Sequence, residues 1–304
     1  MISSKTEEGF QLNISCSFNE YKLLDIIGNG STSVVALVEN EDTGQLFSAK
    51  IIPKKHIEKK NLMNSIQNEI KILNEVDHPN ILKFYKSFHL KNRFGESYII
   101  MILEYCENGD LLSLISEDGL TNEILKKKII YGFLEGIRYL HRKGISHGDI
   151  KPENILLDKN FNPKISDFGH SRTSIFAGDE EKKGTLNYAA PELFTKGIFN
   201  TLKSDIWAIG ITIYCLSENN FPFKRGNANF VINQIISGKL CFSQSSPKNL
   251  RNLVEKCTDL KPTKRPTIDE IINDEYFSFN HYLFNGLFQN KIELDSINEK
   301  GILM

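Results

Sequence analysis

Three polar clusters interrupt otherwise apolar stretches of this 304-residue chain, and their side chains suit a polyphosphate and hard cations. The first is Gly28-Asn29-Gly30-Ser31-Thr32-Ser33-Val34-Val35, set between two β-rich runs. Glycines let backbone N–H groups come close to phosphate oxygens, so such a loop can cover a nucleotide. By itself the same pattern also reads as an ordinary hairpin turn. The second is SHGDIKPENILLDKN followed by PKISDFG, which supplies Asp149, Lys151, Asn154 and Asp167. Carboxylate and amide oxygens, shared with phosphate oxygens, are the ligands Mg²⁺ prefers. The third is a pair divided between two elements: Lys50, within the apolar run of a strand, and Glu69, on the apolar stripe of a helix. A carboxylate on a core-facing surface is costly unless a cation meets it, so Glu69 predicts Lys50 opposite.

Positioning these groups takes two kinds of element. Residues 21–52 predict an antiparallel meander: YKLLDIIG, STSVVALVEN, a turn at Asp42-Thr43-Gly44, then QLFSAKII. A helix is expected over 61–76, with Leu62, Ile66, Ile70 and Leu73 on one stripe together with Glu69. Asp77-His78-Pro79 ends it, and SYIIMILE, 97–104, reads as a buried strand. Glu107-Asn108-Gly109-Asp110 then breaks the pattern and marks a seam at 104–109. Beyond it the character is helical. Ile130, Phe133, Leu134, Ile137 and Leu140 predict an amphipathic helix stopped by Gly144, and IWAIGITIYCL is apolar on every side, as a helix surrounded by protein would be. Residues 155–157 and 164–166 predict two short strands joined by a turn at Asp158-Lys159-Asn160, which would set Asn154 beside Asp167.

Composition excludes several classes. With 40% apolar and 25% charged residues the chain has the balance of a folded protein, not of a disordered or fibrous one. Thirty-seven basic against 38 acidic side chains give a net charge of −1, so no global field draws it to nucleic acid or an anionic membrane. The five cysteines, Cys16, Cys106, Cys215, Cys241 and Cys257, have no metal-ligand spacing and fit buried thiols in a reducing compartment. The start, MISSKTEEGF, is unlike a secretory signal, and the longest apolar helix candidate falls short of the roughly 20 residues that span a bilayer. A protein inside the cell, cytoplasmic and nuclear, without membrane insertion and monomeric, is the expectation.

The ordered set Gly28 to Val35, Lys50, Glu69, His147-Gly148-Asp149-Ile150-Lys151-Pro152-Glu153-Asn154, Asp167-Phe168-Gly169, Ala190-Pro191-Glu192, Asp205 with Trp207 and Gly210, and Arg265 resembles the eukaryotic Ser/Thr protein kinase family over about residues 21–280. The resemblance implies an α+β, bilobal fold: a small N-terminal lobe (19–103) of antiparallel sheet with one helix, a hinge (104–109) and a larger, mainly helical C-terminal lobe (110–280). Residues 1–18 and 281–304 are then an extension and a tail. It implies ATP and Mg²⁺ as cofactors and proteins with Ser/Thr acceptors as substrates. Lys50, held by Glu69, resembles the lysine that grips the α- and β-phosphates; Asp149 the group that accepts the acceptor proton; Lys151 the one that neutralises the moving phosphoryl group; Asn154 and Asp167 the metal ligands. Gly28, Asn29, Gly30 and Ser31 resemble the phosphate-covering loop. Val35, Ser48 and Leu156 would sandwich the adenine, with Leu103 as gatekeeper, Glu104 and Cys106 offering backbone hydrogen bonds, and Asp110 meeting the ribose. Glu192 with Arg265, and Asp205, resemble the family's scaffold.

Departures from the pattern carry information. Ser33 stands where a third loop glycine would be, and Ser48 replaces an alanine, adding a hydroxyl to the adenine pocket. Gly148 replaces the arginine that in the family clamps a phosphorylated activation loop, and Glu181, in the run Asp179-Glu180-Glu181, takes the approximate place of the phosphothreonine. Activity without loop phosphorylation is therefore expected. Cys215 stands where some basophilic relatives carry an acid, leaving Glu153 alone to favour basic substrates. The lysine-rich segment 53–60 reads as a solvated helix start, and within the family the chain leans to the calcium/calmodulin-dependent-like group. Two alternatives are a pseudokinase-like binding scaffold and a kinase of small molecules.

Overall fold

Side-chain alternation of period two, strongest between residues 21 and 53, is realised as strands whose two faces do different work. The structure, a computed structural model, describes residues 2–5, 11–14, 17–30, 32–60, 62–117, 121–179 and 184–278. Near the N-terminus β1 (Ile2–Lys5) and β2 (Gln11–Ile14) pair antiparallel as a separate ribbon. There follow β3 (Ser17–Phe18), β4 (Tyr21–Asn29), β5 (Val34–Asn40), β6 (Leu46–Pro53), α1 (Lys54–Lys60), α2 (Met63–Glu75), β7 (Phe84–Lys91) and β8 (Ser97–Glu104). The strands from β3 onward form one antiparallel sheet in the order β3-β4-β5-β6-β8-β7. One face buries Val34, Ala36, Val38, Phe47, Ala49, Ile51, Tyr98, Ile100 and Ile102 as a continuous core. Each such side chain contributes roughly 1.5–3 kcal/mol when fully removed from water.

Two helices, not one, accompany this sheet. The segment 54–60 is a helix of its own because His56 and Ile57 are buried, so it is anchored and not merely a solvated start. Its successor α2 buries Ile66, Glu69, Ile72 and Leu73. Ile72 thus takes the place expected of Ile70, which is half-buried, because the buried stripe turns toward the side that carries Glu69.

The remaining elements are α3 (Leu111–Glu117), α4 (Glu123–Arg142), β9 (Ile155–Leu157), β10 (Pro163–Ile165), β11 (Phe176–Ala177), β12 (Phe199–Asn200), α5 (Thr201–Glu218), α6 (Ala228–Ser237), α7 (Lys248–Cys257), α8 (Ile268–Ile272) and α9 (Glu275–Ser278). Asn122 caps α4, its side chain accepting from the N–H groups of Ile124 and Leu125, and the expected stripe of Ile130, Phe133, Leu134, Ile137 and Leu140 is buried. Every residue of α5 from Asp205 to Leu216 is buried, as its unbroken apolar character requires. Gly210 lets α7 approach closely: a Cβ there would lie 2.8 Å from both Cys257 Cβ and Thr258 Cγ2. β9 and β10 pair antiparallel with Ile155 opposite Ile165, the second strand starting one residue before the expected 164.

The chain divides into two compact units. The first is Met1–Glu107 with Ser166–Ser171, and the second is Asn108–Ile165 with Arg172–Met304. The six residues 166–171 return to the first unit, and they include Asp167. Among the described residues, no helix is long and apolar enough to cross a membrane.

Candidate active site

In an antiparallel sheet, directly opposed residues point to the same face. The register pairs Gly28 with Val35, Val35 with Lys50, Lys50 with Met101, Leu37 with Ser48 and Ser48 with Leu103. Val35, Ser48, Lys50 and Leu103 therefore share the face opposite the apolar core. From it Lys50 Nζ reaches both Glu69 oxygens, Oε1 at 2.7 Å and Oε2 at 2.9 Å. Glu69 is only 4% exposed, so Lys50 answers the buried carboxylate. Asp167 Oδ1 lies farther from Lys50 Nζ, at 3.6 Å, on a side chain 44% exposed. Burial works against the charge of Lys50, but Glu69 and Asp167 outweigh it and hold the ammonium above the usual lysine range.

Asp167 adopts a left-handed backbone, φ 60° and ψ 76°, uncommon for a residue with a side chain. The segment after it is fastened to α2: Ser65 Oγ donates to the Gly169 carbonyl at 2.6 Å and Asn68 Nδ2 to the Ser171 carbonyl at 2.8 Å. Sequence reasoning missed both residues. Their one signal was position, since Ser65 and Asn68 lie at helical spacing on the turns that lead to Glu69.

In the glycine loop, Gly30 N donates to Ser33 O at 2.8 Å, closing a tight turn; Ser31 lies outside the described residues. A Cβ at Gly28 would meet Val35 at an ordinary 3.5 Å, and one at Gly30 would meet Ser33 O at 3.4 Å. At the end of β8, the Ser48 hydroxyl donates to the Glu104 carbonyl at 2.9 Å, and the Cys106 side chain is buried.

The second unit holds the other cluster. Asp205 of α5 organises it: Oδ2 accepts from His147 N at 2.8 Å and lies 3.0 Å from His141 Nε2, while Oδ1 accepts from Gly148 N at 2.9 Å. His141 was not foreseen. Gly148 has φ +79°, a conformation glycine enters without a steric penalty. The loop so held presents Asp149, whose Oδ1 accepts from Thr185 N and Thr185 Oγ1, each at 2.9 Å. Lys151 Nζ lies 2.8 Å from Asp149 Oδ2 and donates to Thr185 Oγ1 at 2.7 Å. Asn154 Nδ2 donates to the Asp149 carbonyl at 2.8 Å and to Asp149 Oδ2 at 3.1 Å. Burial opposes ionisation of Asp149, but the bonds from Lys151 and Thr185 prevail and hold its carboxyl below the usual aspartate range. Asp110 and Leu156 meet in an antiparallel bridge. The Asp110 carboxylate, expected at a ribose, accepts from Ser113 N and Oγ at 2.9 Å each and so caps α3.

Comparison with known proteins agrees with this arrangement. The family model described as a protein kinase domain matches residues 21–277. The chain belongs to the protein kinase family. Among curated relatives, 3-phosphoinositide-dependent protein kinase B of Dictyostelium discoideum is 36% identical over 269 residues, covering 86% of this chain and 29% of that protein. CBL-interacting protein kinase 8 of Oryza sativa subsp. japonica is 30% identical over 281 residues, covering 92% and 62%. Sucrose non-fermenting protein kinase 1 of Fusarium virguliforme is 33% identical over 259 residues, covering 85% and 36%. The kinase chain thus spans less than two thirds of the length of these relatives.

The pair Arg265–Glu192 is held by several partners. Arg265, 2% exposed, binds Glu192 through both guanidinium nitrogens at 2.7 Å, donates to the carbonyls of Lys203 and Asp259, and lies over the Trp207 ring at 5.1 Å. Ser204 Oγ donates to the same carboxylate at 2.8 Å.

Proposed function

We propose that this protein kinase transfers the γ-phosphoryl group of Mg-ATP to serine and threonine hydroxyls of other proteins inside the cell. The observation that carries the reading is the cluster of Asp149, Lys151 and Thr185: an ionised carboxylate, an ammonium 2.8 Å from it, and a threonine that binds both. Asp149 receives the proton of the acceptor hydroxyl on its carboxylate, and Lys151 neutralises charge on the group in transit.

The residues fit the nucleotide and metal on two grounds. Among the described residues neither φ nor crowding demands glycine at positions 28 and 30, and the missing side chains let a ligand approach this backbone closely. Asp167 offers hard oxygens on a part-exposed side chain that Lys50 meets only at 3.6 Å, a donor suited to Mg²⁺. Asp167 and Asn154 would hold the metal, and Lys50, fixed by Glu69, the α- and β-phosphates. Val35, Ser48, Leu103 and Leu156 would line the base, with the backbone of Glu104 and Cys106 as its hydrogen-bonding edge. Asp110 would meet the ribose hydroxyls. Bound Mg-ATP supplies the phosphoryl group and screens the charge that develops on its oxygens.

Activity does not await phosphorylation of the activation loop. Gly148 has no side chain to hold a phosphate, and hydrogen bonds already fasten the segment after residue 171. Ser146 and Arg172 exchange both backbone bonds, at 2.9 and 3.0 Å; Thr201 Oγ1 donates to the Ser174 and Ile175 carbonyls; β11 pairs with β12. Glu181 lies outside the described residues. Bacterially expressed protein treated with phosphatase should phosphorylate a generic protein acceptor at an undiminished rate. Loss of that rate, restored by rephosphorylation within 170–185, overturns this point; failure to transfer phosphate to any protein acceptor overturns the reading as a whole.

A further inference from the structure

Ser48 places a rotatable hydroxyl where a purely backbone edge would otherwise stand. It is 7% exposed, sits directly opposite Leu103 in the register, and shares its sheet face with Lys50 one side-chain repeat away. Its Oγ donates to the Glu104 carbonyl at 2.9 Å and stands 3.5 Å from the Leu103 carbonyl. We propose that Ser48 sets base specificity, admitting 6-oxopurine triphosphates beside ATP. The inference rests on the reading above, in which the base meets the backbone of residues 104–106.

A backbone carbonyl can only accept. Adenine's exocyclic amine donates, so a bare edge matches it; a 6-oxopurine turns an acceptor toward that acceptor and leaves both oxygens buried and unpaired. Unpaired buried polar groups are what make such sites selective, at about tenfold or more for each. A serine hydroxyl has one donor and two acceptor lone pairs, and its hydrogen rotates freely. With adenine bound, the O–H stays on Glu104 O, and the amine meets the same carbonyl. With a 6-oxopurine bound, the O–H swings to the base carbonyl, so one of the two facing acceptors is paired where a bare edge pairs neither.

The test compares Mg-ATP, Mg-inosine triphosphate and Mg-GTP as donors to one protein acceptor, with equilibrium binding of each nucleotide alongside. Inosine triphosphate differs from ATP at the 6-position and at the adjoining ring nitrogen, which turns from acceptor to donor, so it is the change in preference on substituting Ser48 that isolates the proposed contact; GTP adds the 2-amino group. Wild type should use inosine triphosphate with kcat/KM within about a hundredfold of ATP. Ser48→Ala, and Ser48→Cys as a size-matched weak donor, should each widen the preference for ATP by about tenfold, through KM and not kcat. An unchanged ratio in both variants, or a wild type that rejects inosine triphosphate by about a thousandfold, overturns the proposal while leaving the kinase reading intact. If nucleotides bind but none supports transfer, that reading falls and the ratio of dissociation constants decides this one. Absence of any nucleotide binding overturns both.

Discussion

Asp149 meets four donors through two oxygens: Thr185 N and Oγ1 on Oδ1, Lys151 Nζ and Asn154 Nδ2 on Oδ2. Because these partners orient the carboxylate as well as charge it, Asp149→Asn keeps the shape and loses the base. The kcat for protein phosphorylation should fall by about 10²–10⁴-fold with the circular dichroism spectrum unchanged. The same bonds carry a pH signature. A carboxylate whose folded pKa is lowered stabilises the fold above its unfolded value, about 3.9, and loses that contribution as pH falls through the folded value. The stability gap between wild type and Asp149→Asn, read by denaturant unfolding, should therefore hold from pH 8 to 5 and narrow below about pH 4. Lys50 tests the converse case of a buried partner. Lys50→Met leaves Glu69 without its cation and should cost about 3–5 kcal/mol, much of it recovered in Lys50→Met/Glu69→Leu, where no charge is stranded. Equal instability of the single and double variants would contradict this.

Elements were legible in the sequence to the degree that a single period governed them. The stripe of α4, the all-round apolar character of α5 and the buried run of β8 were readable because burial alone dictates each pattern. The helix α1 was not, since four of its seven residues are lysines and, among its described side chains, only the pair His56-Ile57 is buried. Nor was the return of Ser166–Ser171 to the first unit, which depends on bonds from Ser65 and Asn68 to carbonyls about a hundred residues away. Of the candidate site, the charged groups were legible by type and order, whereas the Ser48 hydroxyl bond and the capping role of Asp110 are matters of side-chain direction. Two element-scale substitutions follow. Gly148→Ala forces a Cβ onto a backbone at φ +79° and should cost about 1–2 kcal/mol. Gly210→Ala drives a methyl into Cys257 and Thr258 and should cost about 1–3 kcal/mol through displacement of α5 from α7. Denaturation midpoints check both, and a neutral Gly210→Ala would mean the helices part without strain.

At the scale of the molecule, the protein invests two buried ionic centres in holding the second unit. Arg265 and Glu192 satisfy each other and their neighbours so completely that Arg265→Met strands a carboxylate, and stability should drop by about 3–5 kcal/mol while kcat of the protein that remains folded is preserved. A parallel loss of kcat would place the pair in the chemistry instead. The other centre is Asp205, which ties the amides of His147 and Gly148 to a helix walled in by apolar side chains. Those two N–H groups belong to a stretch without helix or strand, yet they cannot reach deuterated solvent by a local fraying motion. Their exchange has to await cooperative opening of α5, so in a native-state exchange experiment they should carry protection factors like those of Ile209 and Ile211 and vanish from the slow class in Asp205→Ala.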